Sequence, residues 1–504
     1  METLMWGAVL RFLQTLSLAA PTTLIGFFVA ALLIQMVGAE KTRQLFGGKG
    51  WTSIAKAWLI GMALPVCSLG CLPILVWLRR SGVKAGAILA FAISAPLFNP
   101  ISLLWGLTLS DPMVILSFSF ISLLIVSAVG GVVDWFVPPV SVEAPPANPA
   151  RGLRRMTSVG LTMSQLLCSR TSVYLLIGVL GVSWLSLLLP RGYLQASAER
   201  GDLLAPAFMG LIAMPAYETP LTAIVKLGDM FQHGNSVGAA LTLLVLGAGM
   251  NLGLLVWSTM SFGWRPCLMF VGTLWFVSLS AAYLIDKPLT PRGVDPAGHT
   301  HAFDVYCNPF PSDIDMDLAQ IQKLWLEGTT SYELVALTTL ATILAIGVLL
   351  WSTRLQSVID RWGTAPSHLR FDRELSPKTL MGLSVLGLLA GSVFSCYLFY
   401  PPRHEILEEM RLANVELGSA GTSHSWETIE YWLPIQENWT RKLEVSMYLR
   451  AEEFGPYERA KLKVLRDKLD LLRHSAEDRD PDTVHQAALS MTQAYSRVRR
   501  ALAP

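Results

Sequence analysis

The chain has 504 residues, 52% hydrophobic and 15% charged, with a formal net charge of +2 and a mean hydropathy of +0.46. A soluble domain carries about 25% charged residues, so this composition argues against a soluble globular protein, and the near-neutral balance gives no reason to expect a nucleic-acid partner. Six cysteines (Cys67, Cys71, Cys168, Cys267, Cys307 and Cys396) mostly lie in or beside apolar blocks, without the spacing of a secreted disulfide framework.

A helix of about 20 apolar residues crosses the ~30 Å hydrocarbon core and satisfies its own backbone there. Residues 12–37 form the first expected span, with Pro21 and Gln35 near its ends. No basic region or small-residue cleavage site precedes it, so the N-terminus is read as the start of that span and not as a removable signal. A basic loop (Lys41, Arg43, Lys49) leads to a second block at 54–78, interrupted by Pro65, Gly70 and Pro73. The third, 83–109, is interrupted by Pro96 and Pro100, and the fourth runs 112–137.

Residues 138–158 are proline-rich and then basic, which is the composition of an extended linker between two membrane halves. Further spans are expected at about 171–190, 205–226, 236–258 and 262–285, followed by a polar loop over 286–330. Two more, 332–351 and 379–400, flank a basic loop. From Pro401 the chain becomes charged and helix-like, with Leu462, Leu465, Leu469 and Leu472 on one face. This tail is expected to be a soluble helical unit, a solvated hairpin or a surface that docks a protein partner.

The expected architecture is therefore an all-α polytopic membrane protein with about ten transmembrane helices in two repeated halves, plus a soluble helical tail. The boundaries are 1–137 for the first repeat, 138–158 for the linker and 159–285 for the second repeat. The polar loop follows at 286–330, two additional helices at 331–401, and the tail at 402–504. Arg79, Arg80, Lys84, Arg151, Arg154 and Arg155 favour a cytoplasmic N-terminus by the positive-inside rule, whereas Lys41, Arg43 and the 354–378 loop oppose it.

The repeat is carried by residues 63–105 and 213–257. In the first, Gly82 follows Pro73 by nine positions and Asn99 comes 17 later; in the second, Gly228 follows Pro220 by eight and Asn251 comes 23 later. An insertion around DMFQHGN accounts for the six extra residues. Paired proline- or glycine-broken segments in two halves point to a solute site, because broken helices expose backbone polar groups that only protein or a wet cavity can accommodate at membrane depth.

The segment from Pro65 to Pro100 resembles the predicted-permease family that includes the trivalent organoarsenical efflux permeases. Members carry Pro-x-Cys-Ser-Cys-Gly-x-x-Pro, then a glycine after a short helix, then Phe…Pro…Asn-Pro; here the matches are Pro65, Cys67, Ser68, Gly70, Pro73, Gly82, Phe91, Pro96, Asn99 and Pro100. The second copy is similar to the family's second half through Pro220, Gly228 and Asn251, and the resemblance covers roughly residues 5–285. The family's second cysteine is Leu69 here, with Cys71 nearby, and the second copy has Tyr217 and Thr219 where a thiol would stand. The resemblance implies a permease working in the export direction, and leaves arsenicals as one candidate solute among others.

The candidate solute-binding residues are Cys67, Ser68, Cys71, Asn99, Glu218 and Asn251. Cys67 and Cys71 share a face if their stretch is helical, and thiolates suit thiophilic solutes; buried cysteine is also an ordinary small hydrophobe. Ser68 and Asn99 offer uncharged polar contacts. Glu218 is the one carboxylate well inside an expected span, where an ionisable group is costly and functional by default; it is a candidate proton carrier. Lys226, eight positions on, is expected nearer the interface, and Asp111, Asp134, Asp229 and Asp286 sit at span ends with no special role. In the polar loop, His299, His301, Asp304 and Cys307 are metal-ligand types in no closed zinc spacing, and a surface loop is the simpler expectation.

No phosphate-binding G-x-x-x-x-G-K-[ST] element occurs, so a gradient-driven or facilitative permease without cofactor is expected. The alternative is a membrane thiol oxidoreductase using Cys67 and Cys71, although such enzymes favour C-x-x-C and here the spacing is C-x-x-x-C. The expected partners are a small solute and the lipid bilayer of the cell membrane.

Overall fold

The computed structural model describes residues 2–48, 50–109, 112–138, 153–291, 300, 302–310, 316–352, 377–452, 454–477 and 479–502. All regular structure among them is helical. The chain divides into two compact units, one of residues 1–106 and 110–392, the other of 107–109 and 393–504.

The first unit opens with α1 (Glu2–Leu32), which runs on as a π turn to Val37. After α2 (Ala39–Phe46) come four short helices, α3 (Trp51–Ala63), α4 (Ser68–Arg80), α5 (Ala85–Ser94) and α6 (Pro100–Leu109), then the long α7 (Pro112–Phe136). Next are α8 (Leu153–Leu167) and α9 (Arg170–Leu188). The short helices α10 (Ala205–Ala213), α11 (Pro220–Gln232), α12 (Val237–Thr242, extended by a π turn to Ala248) and α13 (Leu252–Phe262) precede the long α14 (Trp264–Asp286). The remaining elements are α15 (Leu318–Glu327), α16 (Ser331–Ser352) and α17 (Pro377–Phe399), whose residues from Val393 on are assigned to the second unit.

Among the described residues five helices are long and apolar enough to cross a membrane, and a sixth span results if α12 and α13, bent by 60° at their break, count as one. The short helices cannot cross alone, since 13 residues reach only about 20 Å at 1.5 Å per residue. The linker differs from expectation at its end: residues from Leu153 onward already belong to α8, and 139–152 lie outside the described residues.

The breaks have local causes. Pro65 drives Leu64 into extended backbone and ends α3; Pro96 and Pro215 follow the ends of α5 and α10 within two residues. Each restart is capped by a side chain: Cys67 Sγ accepts from Gly70 N at 3.3 Å, Asn99 Oδ1 from Ser102 N at 2.8 Å, Thr219 Oγ1 from Thr222 N at 3.2 Å and Asn251 Oδ1 from Leu254 N at 2.8 Å. Caps of this kind satisfy backbone donors left over in the first helical turn. Pro100 and Pro220 occupy first helical positions, where a missing N–H costs nothing.

Two aspartates treated above as plain end residues hold helix termini instead. Asp134 on α7 accepts the Gly86 N–H of α5 at 2.7 Å, and Asp286 on α14 accepts the Gly238 N–H of α12 at 2.8 Å. A carboxylate facing a helix N-terminus is favoured by the helix dipole. Asp229 accepts from Thr300 Oγ1 at 3.2 Å, and Asp111 lies outside the described residues.

The second unit contains four helices, α18 (Arg403–Ser423), α19 (Trp426–Leu449), α20 (Pro456–Glu477) and α21 (Pro481–Ala501), so it is larger than the hairpin expected. Leu462, Leu465, Leu469 and Leu472 are all buried in its core, together with Ile406, Leu417, Leu443 and Met491. Ion pairs Arg466–Glu444 (2.7 Å) and Arg473–Glu437 join α20 to α19.

Candidate solute site at the helix breaks

The four breaks of the first unit meet one another. Tyr217, in the break before α11, lies beside the Cys67 thiol that caps α4 and beside Thr22 of α1. A side chain added at Gly247 would touch Ala213 and Glu218, so the end of the π turn abuts the α10–α11 break. One added at Gly249 would reach Ile93 near the end of α5, and one at Gly61 would strike Ser94 and Ala95. The long helices permit this through glycine. Gly26 of α1 packs on the Gly70 carbonyl of α4, Gly181 of α9 on the Pro215 carbonyl, and Gly253 of α13 on the Tyr174 carbonyl of α9.

Five of the six expected site residues are buried in these breaks or in the first turn after them, and Cys71 follows one helical turn from Cys67. Asn99 is 6% exposed and forms a reciprocal cap with Ser102, whose Oγ accepts from Asn99 N at 3.0 Å. Cys67, Asn99 and Asn251 each spend one atom on capping. Ser68 Oγ and Asn251 Nδ2 are buried without a hydrogen-bond partner, and the Tyr217 hydroxyl is buried against Cys67 and Thr22.

Glu218 differs from expectation in setting: it stands in the break between α10 and α11 rather than within a span, and it is 2% exposed. Lys226 forms an ion pair with Glu218. The carboxylate also accepts from Tyr306 OH at 2.6 Å and from Thr222 Oγ1 at 2.7 Å, and the Lys226 ammonium sits 4.2 Å from the centre of the Tyr306 ring. Burial of an ion pair is sustained only when further hydrogen bonds satisfy its charges. Here two hydroxyls and an aromatic face supply them.

Tyr306 comes from the segment expected to be a surface loop, and this expectation is corrected. Thr300, Phe303, Tyr306, Cys307 and Asn308 are all buried. The segment is tied down by Arg11 of α1, which donates to the carbonyls of Asp304 at 2.8 Å and Cys307 at 3.2 Å. Asn308 Nδ2 donates to Ser186 O at 3.2 Å, and its backbone N–H to Leu189 O at 2.9 Å. Of the metal-ligand candidates, Asp304 accepts from Gln195 Nε2 at 3.3 Å and Cys307 is buried; His299 and His301 lie outside the described residues. Nothing in the spacing of the sequence signalled Tyr306, which is 88 positions from Glu218.

An all-helical chain with several membrane-length apolar helices and interrupted helices that meet at a buried polar junction defines the class of a membrane permease. The predicted-permease family ArsP_1 matches residues 5–287, more than half of the chain, and the chain belongs to that family. It is similar to the UPF0718 protein YcgR of Bacillus subtilis (strain 168), with 30% identity over 92 residues, 18% of this chain and 31% of that protein. The match thus spans about a third of the relative's length. No solved structure matches the chain significantly.

Proposed function

We propose that the protein is a multi-pass permease of the cell membrane that exports a small solute, driven by an ion gradient or by the solute's own gradient. The solute would bind where the breaks meet, at Cys67, Ser68, Cys71, Asn99, Glu218 and Asn251, with Glu218 as proton carrier. The contact of Tyr217 with Cys67 carries this reading, because it joins a break at 64–67 to one at 214–219 from opposite sides of the linker. Two buried polar atoms without partners in the breaks, Ser68 Oγ and Asn251 Nδ2, are what a solute or water would satisfy.

The reading includes two repeated halves, 1–137 and 159–285, within about ten spans. Its support is a constant register of 152 positions. Thr219 lies 152 after Cys67, Gly234 after Gly82, Asn251 after Asn99 and Asp286 after Asp134. The capping pairs Cys67/Thr219 and Asn99/Asn251 play the same part, Gly82 and Gly234 share a positive φ, and the two aspartates hold equivalent helix starts. This register replaces the sequence pairing of Gly82 with Gly228 and removes the six-residue insertion.

Thiophilic solutes, including trivalent organoarsenicals, remain within the reading because Cys67 and Cys71 belong to the junction. The thiol oxidoreductase alternative gains no support: both thiols are fully buried, and Cys67 accepts a backbone N–H. The test is uptake into inside-out vesicles of trivalent organoarsenicals, other thiophilic metals and organic anions, with Cys67→Ser and Glu218→Gln. At least one solute should accumulate, and each variant should slow it. Unchanged transport of every accepted solute by both variants would refute the site.

A further inference from the structure

The second unit begins within α17, at Val393, and solute transport assigns it no task. Only the placement of α17 as a membrane span is taken over from the permease reading. The apolar run of that helix ends at Phe399 and Tyr400, and Pro401 and Pro402 separate it from α18. Later helices return to the same end of the bundle. Ser446 Oγ, near the end of α19, donates to Pro401 O at 2.5 Å, and Arg403 pairs with Glu452 at 3.3 Å. Gly421 of α18 faces Ala488, whereas Tyr495 OH donates to Leu407 O at 3.1 Å, so α21 approaches the start of α18 as its numbers rise. The start of α18, the end of α19, the start of α20 and the end of α21 therefore share the end of the bundle at which α17 enters.

The two ends differ in charge. At the far end, Glu427 and Glu430 follow the turn between α18 and α19, and the turn between α20 and α21 reads Glu-Asp-Arg-Asp-Pro-Asp over 477–482. At the near end, Arg450, Arg459 and Lys461 flank the α19–α20 connection, and the exposed Arg497, Arg499 and Arg500 stand on the last turns of α21. Of the carboxylates there, Glu452 is held by Arg403 and Glu444 by Arg466 at 2.7 Å. Glu405, Glu408 and Glu409 belong to the first turns of α18, and Glu458 is outnumbered by Arg459 and Lys461, so the positive excess lies on α19, α20 and α21.

The near end is also aromatic and apolar. Arg450 lies 5.2 Å from the Tyr397 ring centre, Arg459 5.4 Å from that of Phe454 and Lys461 4.9 Å from that of Tyr457. Leu398, Tyr448 and Tyr457 are 72%, 64% and 61% exposed. Rings and long cations beside the end of an apolar helix suit a membrane–water interface, where the apolar body meets acyl chains and the charge meets phosphate.

We propose that this end of the second unit lies on the bilayer surface where α17 emerges and binds the head groups of anionic phospholipids through Arg450, Arg459, Lys461, Arg499 and Arg500. Anionic lipid attracts basic segments next to a span, and the acidic turns at the far end are held away from it. A soluble polyanion would meet the same charges but leave Leu398, Tyr448 and Tyr457 uncovered, which favours a lipid surface.

The test is hydrogen exchange of the purified full-length protein in nanodiscs of phosphatidylcholine alone and of phosphatidylcholine with phosphatidylglycerol. Exchange over 443–452 and 494–502 should slow about fivefold in the anionic discs, the effect of about one basic side chain at an anionic surface. High salt should remove most of the difference. Arg499→Gln/Arg500→Gln, at two exposed positions, and Arg450→Gln should each reduce the slowing while leaving the unfolding midpoint in neutral discs in place. Equal exchange in the two kinds of disc, equal slowing in wild type and variants, or equal slowing at the acidic turns 422–428 and 479–485 overturns the proposal. So does the same slowing produced in neutral discs by an RNA oligonucleotide, which would assign a soluble polyanion instead. If the slowing is absent while vesicles still export a solute, only the lipid contact falls. If the slowing is present and no solute is exported, the permease reading falls and the lipid contact stands.

Discussion

Replacing Glu218 by glutamine removes one member of a buried ion pair and leaves the Lys226 ammonium facing an uncharged amide. The Lys226 and Glu218 side chains are 12% and 3% exposed, so little solvent screens what remains. Breaking a buried pair by removing one partner costs about 3–5 kcal/mol, whereas removing both together is often close to neutral. The Tyr306 and Thr222 hydroxyls can still donate to the oxygen of the introduced amide, which places the expected loss toward the lower end, about 3 kcal/mol. Lys226→Met should cost a similar amount by stranding the carboxylate, and the double variant Glu218→Gln/Lys226→Met should recover most of the loss.

The assay is the thermal unfolding midpoint in nanodiscs, combined with hydrogen exchange over 217–226 and 302–308, the two stretches this cluster joins. Both single variants should exchange faster in both stretches, and the double variant should return toward wild type. Solute transport should stay impaired in Glu218→Gln and in the double variant, because stability is restored without the carboxylate. Single variants as stable as wild type would refute the buried pair. A double variant with full transport would refute the functional role of Glu218.

Three further outcomes follow from separate contacts. Asp286→Ala withdraws the acceptor from Gly238 N and Ser236 Oγ, and should cost about 1–3 kcal/mol, read as faster exchange at the start of α12; unchanged exchange there would count against it. Gly181→Ala places a methyl group against the Pro215 carbonyl, a backbone atom that cannot rotate away. Overpacking of this kind costs about 1–3 kcal/mol, so the midpoint should fall while Gly272→Ala, which meets open space, leaves it in place. In the C-terminal unit, burial lowers Lys442 to about 8, with its ammonium 4.3 Å from the Phe399 ring centre and 4.6 Å from that of Trp439. The unfolded chain then holds this proton to higher pH than the folded one, so stability should rise from about pH 8 to about pH 10 and stay flat in this respect below pH 8. The full shift corresponds to about 3 kcal/mol at most, and hydrogen exchange of α19 in Lys442→Met should lose that pH dependence.

Much of the architecture was legible because its causes are local. Runs of apolar residues fix the long helices α1, α7, α9, α14 and α16, since a bilayer leaves no other way to satisfy the backbone. Pro65 marks the break after α3 by direct steric effect on the preceding residue, and Pro96 and Pro215 lie within two residues of the ends of α5 and α10. The leucine face of α20 was readable for the same reason, through the helical period alone.

The repeat proposed above uses a register different from the one read in the sequence, because proline and glycine recur at many spacings, whereas the N-cap role shared by Cys67 and Thr219 tolerates different residue types. A hydrogen-bonding function leaves a weak mark on sequence when several side chains can perform it. The aspartates at 134 and 286 looked like span ends for a related reason: each carboxylate acts on a backbone N–H 48 positions away.

From the sequence alone come the membrane-length helices and the proline- and glycine-marked places where others break, which depend on neighbours within a few positions. Only the tertiary structure sets Tyr217 against Cys67, pairs Glu218 with Lys226 and brings Tyr306 in from a polar stretch to complete that pair. Those contacts arise when helices pack over glycines 26, 181 and 253 and carry distant side chains together, and no local period or spacing encodes the meeting.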